Sequence, residues 1–407
     1  MTRPATIHSS LKTDRALPGV PGAPARSPGG DSLAEALDGR TVTGALGHAE
    51  GERIRCVACG HRCLIAPGRR GICRVRFNLG GELRVPFGYV AGLQCDPVEK
   101  KPFYHVHPGS DALTFGMMGC DFHCSYCQNW VTSQALRDPA ARAPIKPVTP
   151  RQLARAGAQL GARLIVSSYN EPLITAEWAV AVFQEARSAG LLGAFVSNGN
   201  ATPEALDFLR PWIVAYKIDL KCFDDKRYRT LGGTLRHVTD AIRMVRERGL
   251  WLEVVTLLIP GFNDSEAELR DAAAFLASVS PDIPWHVTAF HPDYKMTAPR
   301  NTAAEDVIRA AEIGREAGLR FVYAGNAPGQ VGDWEHTWCP SCREKLVDRH
   351  GFLVRGYALT PDGKCPACGT LIPGIWPARG AADVRTGFGA ADYHSRMPRR
   401  VAIKDDL

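Results

Sequence analysis

The chain has 407 residues, enough for two or three folded units, and 45% hydrophobic with 22% charged residues exclude wholesale disorder, collagen and coiled coil. No stretch approaches the ~20 apolar residues of a membrane span, so the protein is read as soluble, with no membrane partner. With 49 Lys and Arg against 42 Asp and Glu the net charge is +7, only mildly basic for this size.

The first thirty residues hold five prolines and four glycines and no apolar signal core, so 1–49 reads as a disordered leader on a cytoplasmic chain. Within it, Ser32 to Gly39 has the pattern of a short capped helix. In a reducing compartment the 13 cysteines point to metal ligation before disulfides. All but Cys95 and Cys222 fall into three tight groups; Cys95 reads as a small, partly buried residue, and Cys222 as packing near a strand end.

Residues 50–110 read as a Cys-rich metal-binding region and its extension. Cys56, Cys59, Cys63 and Cys73, with His61 inside the spacing, supply four soft ligands. Zinc would close such a site tetrahedrally, and an auxiliary iron–sulfur cluster would use the same thiolates. Zinc is favoured here, because the spacing does not reproduce the ferredoxin run. Between Arg53 and Arg76 there are seven arginines and no acidic residue. They suit phosphate groups of a nucleic acid, an anionic protein partner, or simply a solvated face. Residues 82–94 read as extended. Asp96 to His107 reads as a loop whose Glu99, Lys100 and Lys101 either close a substrate opening or lie on a surface crossover.

From residue 111 short β-rich runs alternate with helical patterns, the signature of βα units on a parallel sheet. The expected strands are Leu113 to Met117, Arg163 to Ser168, Ala194 to Ser197, Val214 to Leu220, Trp251 to Ile259, Trp285 to Phe290 and Arg320 to Tyr323. Helices are expected from Thr149 and Pro150 onward, and over Glu177 to Ala189, His237 to Arg248, Glu266 to Ser278 and Ala303 to Gly318. This α/β pattern predicts a partial (βα), TIM-like barrel over 111–326, with active groups at the carboxyl ends of its strands.

Directly after the first strand, Cys120, Cys124 and Cys127 stand in CxxxCxxC spacing. Three thiolates leave one coordination position open on a metal centre. A three-cysteine zinc site completed by His123 or His105 is the competing reading.

The last cysteine group is two CxxC pairs, Cys339 with Cys342 and Cys365 with Cys368. Residues 327–376 therefore read as a zinc-ribbon-like module, with rubredoxin-like iron as the rival and with His336, Trp334 and Trp338 around its base. Metal ligation would provide much of the folding free energy of so small a unit. Residues 377–407 read as a flexible tail.

The CxxxCxxC loop after a first strand, with Tyr126 before its last cysteine, resembles the radical SAM enzymes. That resemblance implies a 4Fe-4S cluster on Cys120, Cys124 and Cys127 whose open iron takes S-adenosylmethionine, cleaved to a 5'-deoxyadenosyl radical that abstracts hydrogen. It further implies cofactor contacts by Tyr126, by Tyr169, Asn170 and Glu171 at the second strand end, and by Ser197, Asn198 and Gly199 at the third. Asp219 and Lys221 at the fourth, Ile259 at the fifth and His291 at the sixth complete the set.

The blocks CxxCxHRC, GRRGICRVR, DPVEKKPFYH, GCDFHCSYCQNW, SYNEP, IDLK and CPxC…GKCPxCG resemble the AmmeMemoRadiSam system radical SAM enzyme family, relatives of the pyruvate formate-lyase activases. That likeness implies genomic company with AMMECR1-type and Memo-type proteins, a flavodoxin- or ferredoxin-like electron donor, and an oxidoreductase of unsettled substrate, with a protein glycine suggested by kinship to activases. The arginine-rich segment keeps an RNA-modifying enzyme open as an alternative. A non-catalytic zinc and nucleic-acid-binding scaffold is the alternative outside enzymes.

Overall fold

Seven short, apolar runs each emerge as a strand buried on both faces, and all seven pair in parallel. They are β1 (Asp111–Gly116), β2 (Leu164–Ser167), β3 (Leu192–Ser197), β4 (Ala215–Asp219), β5 (Trp251–Leu258), β6 (Trp285–Ala289) and β7 (Val322–Gly325). The computed structural model describes residues 33–141, 144–387 and 399–403. In it these strands lie side by side in chain order, continued past β1 by antiparallel Gly92–Pro97 and Arg399–Arg400. Registers such as Leu164 opposite Ala112 and Trp285 opposite Val322 bring the carboxyl ends of the parallel strands to one side.

The connecting helices are α1 (Pro150–Gln159), α2 (Ala176–Ser188), α3 (Pro203–Leu209), α4 (Asp225–Leu231), α5 (Leu235–Glu247), α6 (Glu266–Val279) and α7 (Ala304–Glu316). Their starts are written in the sequence. Thr149 forms a capping box with Gln152, and Thr202, Asp224, Thr234 and Ser265 each accept a backbone N–H two to three residues into the helix. The apolar helix faces bury Trp178, Phe183, Ile242 and Leu276 against the sheet.

Three differences from the sequence expectations have physical causes. The leader expected over 1–49 lies outside the described residues only as far as 32. Beyond that, Leu33–Asp38 is helical, Thr41–Thr43 pairs with Glu82–Pro86, and Gly47–Glu50 pairs with Arg53–Cys56, with Leu37 and Leu46 buried beneath. The Asp96 to His107 segment is an inner wall and not a surface crossover: Val98, Phe103 and Val106 are fully buried. The buried Glu253 carboxylate accepts the Tyr104 and His105 N–H groups at 2.9 Å each and the Trp251 indole N–H at 3.0 Å, and pairs with His286 Nε2 at 2.6 Å. Of the tail expected over 377–407, residues 388–398 and 404–407 lie outside the described residues. Before them Val384 is buried, and after them Arg399 pairs with Cys95 and reaches Asp111 Oδ2 at 3.1 Å.

The carboxyl-terminal cysteines sit on a three-stranded antiparallel sheet of Thr337–Trp338, Lys345–His350 and Leu353–Tyr357. Buried Arg349 joins it to the rest, donating to Thr337 Oγ1 and to the Tyr104 carbonyl at 2.8 Å each.

Candidate active site

The carboxyl ends of the parallel strands open on a cavity of ≈ 680 Å³. Its wall includes Cys120, Cys124, Tyr126 and Cys127 from the loop after β1. That loop turns through Gly119, at φ 91°, where a β-carbon would come within 2.8 Å of Val75 and 3.2 Å of the Cys73 carbonyl. Phe122 N–H faces the Cys120 sulfur at 3.4 Å, and Cys127 meets the Ser133 hydroxyl at 3.2 Å. Burial pushes the Cys124 thiol up to about 11, with the nearby Lys221 ammonium pulling the other way.

Sulfur spacing separates this triad from the carboxyl-terminal group. Among the described residues, one set of three or more Cys, His, Asp or Glu ligand atoms lies within 4.8 Å of one another: Cys339, Cys342, Cys365 and Cys368. Cys339 stands 3.6 Å from Cys368, and Cys342 3.6 Å from Cys365. A tetrahedral ion with zinc–sulfur bonds of about 2.3 Å holds its sulfurs under about 4 Å apart. The triad does not meet that 4.8 Å spacing, and a cluster of several irons, unlike a single ion, does not require it. His105 does not complete it, because both ring nitrogens are engaged elsewhere, with the Pro373 carbonyl and the Tyr323 hydroxyl at 2.6 Å each. His123 belongs to no such close set either.

Opposite the triad, β2 delivers Tyr169, Asn170 and Glu171 to the same cavity. Tyr169 takes φ 70°, a strained value for a bulky residue, and its hydroxyl donates to Asp96 Oδ2 at 3.0 Å. Asn170 accepts the Met117 N–H. Glu171 accepts the Leu173 N–H at 3.0 Å, the Ser197 hydroxyl at 2.8 Å and the Asn198 N–H at 2.6 Å. Burial first, and then the neighbouring Asp121 carboxylate, push Glu171 up to about 8. Its visible work is tying the ends of β2 and β3 together. Asp121, fully buried beside Cys120, accepts both the Asn198 and the Asn200 amides at 2.8 Å, and so ties the cysteine loop to β3.

On β4, Lys217 and Asp219 point the same way at strand period, with Lys221 just beyond. Asp219 bonds to Lys217 and lies 3.4 Å from Lys221. Burial raises its pKa, but the two ammonium groups outweigh burial and leave it low. Two cations share one carboxylate here.

The structure brings Cys120, Cys124, Tyr126, Cys127, Tyr169, Asn170, Glu171, Ser197, Asn198, Asp219 and Lys221 to one cavity. Gly199, Ile259 and His291 are not part of that lining. Gly199 at φ 78° packs toward Ile218 and Val238. Ile259 is fully buried in a turn, its N–H held by Asn263 Oδ1 at 2.7 Å. His291 lines an adjoining cavity of ≈ 420 Å³ and meets Gln128, which lines both. Lining residues that the spacing of motifs does not mark include Lys217, His286 and Tyr104. The period-two step back from Asp219 was a readable signal for Lys217.

Residues 116–276, which include the loop with these three cysteines, match the radical SAM superfamily. The chain belongs to the radical SAM superfamily, which indicates an enzyme and implies a 4Fe-4S cluster and S-adenosylmethionine. The uncharacterized protein MJ0808 of Methanocaldococcus jannaschii is 33% identical over 323 residues, 79% of this chain and 95% of that protein. The isethionate sulfite-lyase activating enzyme of Oleidesulfovibrio alaskensis is 29% identical over 128 residues, 30% of this chain and 41% of that enzyme. A domain of pyruvate-formate lyase-activating enzyme from Bacteroides vulgatus aligns at TM-score 0.36 and 22% identity, over 40% of this chain and 98% of that one. Among the described residues no helix is long and apolar enough to cross a membrane.

Proposed function

We propose that this enzyme binds S-adenosylmethionine in the ≈ 680 Å³ cavity, cleaves it reductively beside Cys120, Cys124 and Cys127, and uses the resulting radical to abstract hydrogen from a substrate. The observation that carries the reading is the triad: three cavity-wall thiols, too far apart for one tetrahedral ion, with no fourth cysteine in the lining. A 4Fe-4S cluster held there would supply an electron and an open iron for the amino and carboxylate groups of the cofactor. The rest is done by the chain. Asn170, Ser197 and Asn198 present polar groups to that end of the cavity, the Lys217–Asp219–Lys221 set faces it with fixed charge, and Tyr126, packed on Phe262, gives it an aromatic wall. These groups orient a polar, charged cofactor and keep bulk water from the reacting atoms.

In this reading the parallel sheet curves as a partial barrel over 111–326, flanked by the metal-binding region 50–110 and the module 327–376. The similarity to a lyase-activating enzyme supports a protein as substrate, and a backbone glycine as hydrogen donor is part of the proposal. The RNA alternative is weakened, because five of the seven arginines that prompted it are engaged within the chain. Arg55 pairs with Glu50, Arg62 with Glu204, Arg70 with Asp38 and Arg76 with Glu177, while Arg74 donates to the Leu136 carbonyl.

Anaerobic reconstitution with iron and sulfide, followed by dithionite and S-adenosylmethionine, should yield 5'-deoxyadenosine and methionine in equal amounts. Cluster-loaded protein that gives neither product contradicts the proposal. The 3.6 Å sulfur pairs of the carboxyl-terminal quartet support a single tetrahedral ion, proposed as zinc. Cys342→Ser should remove about one zinc per chain and melt the small sheet before the core. Zinc content and hydrogen exchange over residues 337–357 read this directly.

A further inference from the structure

The amino-terminal cysteines gather, but not in the way a zinc ion needs. Cys56, Cys59 and Cys73 are buried, and Cys63 is half-buried. Cys56 N–H bonds to the Cys63 carbonyl at 2.9 Å, and a β-carbon at Gly71, two residues before Cys73, would stand 3.5 Å from the Cys63 sulfur, so both ends of the run fold back on Cys63. Yet no three of these sulfurs lie within 4.8 Å of one another, while the carboxyl-terminal quartet of the same chain meets that distance with all four. One ion draws its thiolates together, whereas a cluster of several irons holds them apart.

Backbone donors nevertheless reach the sulfurs. The Ile72 N–H faces the Cys63 sulfur at 3.4 Å, the His61 N–H faces Cys59, and the Val75 and Arg76 N–H groups face Cys73. Backbone N–H donors aimed at sulfur stabilise charged cluster ligands. The Arg76 guanidinium, 1% exposed, lies beside Cys56 and Cys73, and its Nε finds no hydrogen-bond partner among the described residues. An anionic tetrathiolate cluster gives that buried cation a counter-charge beyond Glu177.

We propose that Cys56, Cys59, Cys63 and Cys73 hold a second iron–sulfur cluster of several irons, and not the zinc that their sequence spacing favours. It lies alongside the catalytic triad. The Cys73 carbonyl is 3.2 Å from where a Gly119 β-carbon would stand, and Arg137 clamps the two segments by donating to the Ile72 carbonyl at 2.6 Å and to the Cys120 carbonyl at 2.7 Å. The site stands independently of what the cavity binds.

The test uses the full chain with Cys120, Cys124 and Cys127 all changed to Ala, reconstituted anaerobically and assayed for iron, acid-labile sulfide and zinc. The expected result is about four irons and about four sulfides per chain, half the wild-type load. Cys63→Ala, at the half-buried position, should lower the wild-type iron by a quarter to a half and change the low-temperature electron paramagnetic resonance spectrum. A triple variant with no sulfide and an additional zinc overturns the proposal. If the wild type carries about four irons and the triple variant none, this second site fails while the catalytic assignment stands. If both carry about four, the catalytic assignment fails and the second site stands.

Discussion

Replacing Cys124 with Ala will lower the iron content by about four per chain and reduce 5'-deoxyadenosine formation to the background without protein. Cys124 is the most buried of the triad, and burial keeps its thiol protonated in the metal-free protein. Two remaining thiolates on a loop cannot hold a cluster against water. Zinc bound, as proposed, at Cys339, Cys342, Cys365 and Cys368, away from the cavity, should stay constant. Iron, zinc and nucleoside measured on one preparation check this result, and loss of the zinc as well would indicate misfolding instead of a ligand effect.

The second large effect is on stability. Arg76 and Glu177 form a buried bidentate pair at 2.7 and 2.9 Å, and Glu177 Oε1 also accepts the Ala45 and Leu46 N–H groups at 3.1 Å each. This carboxylate on α2 anchors the amino-terminal segment. Glu177→Ala strands a buried guanidinium and should cost about 3–5 kcal/mol. In thermal melts that is a drop of roughly 10 °C. Burial raises the Glu177 pKa, but Arg76 outweighs burial and leaves it lowered. The stabilisation is therefore complete above the ordinary glutamate range and is lost as pH falls through the depressed folded value. Denaturant midpoints measured from pH 7 down to pH 3 should converge for wild type and variant at the acid end. A constant gap would contradict this account.

The parallel strands were legible because each is a short apolar run between turn residues, and the cysteine groups were legible because their spacing is local. What escaped is non-local or short. Residues 33–49 looked like leader because Leu37 and Leu46 find their cover only in space, against the strands that follow. Helices α3 and α4, at 7 residues each, fall under the window in which helical periodicity shows, although Thr202–Pro203 is a readable cap. At the site, Asp121 and Lys217 were missed because their work is to hold other side chains. Ile259 and Gly199 lie outside the cavity lining because the chain turns one residue after β5 and two residues after β3 respectively. The metal of the amino-terminal quartet is not legible in spacing along the chain, because the distance between sulfurs is a property of the fold.

The most direct measurement is low-temperature electron paramagnetic resonance of the dithionite-reduced Cys63→Ala protein, with and without S-adenosylmethionine. The signal that depends on Cys120, Cys124 and Cys127 is expected to shift its g-values when S-adenosylmethionine is added, as it must when a ligand enters an open iron position. A signal unmoved by saturating S-adenosylmethionine, in protein shown to carry the triad's iron, would contradict the account.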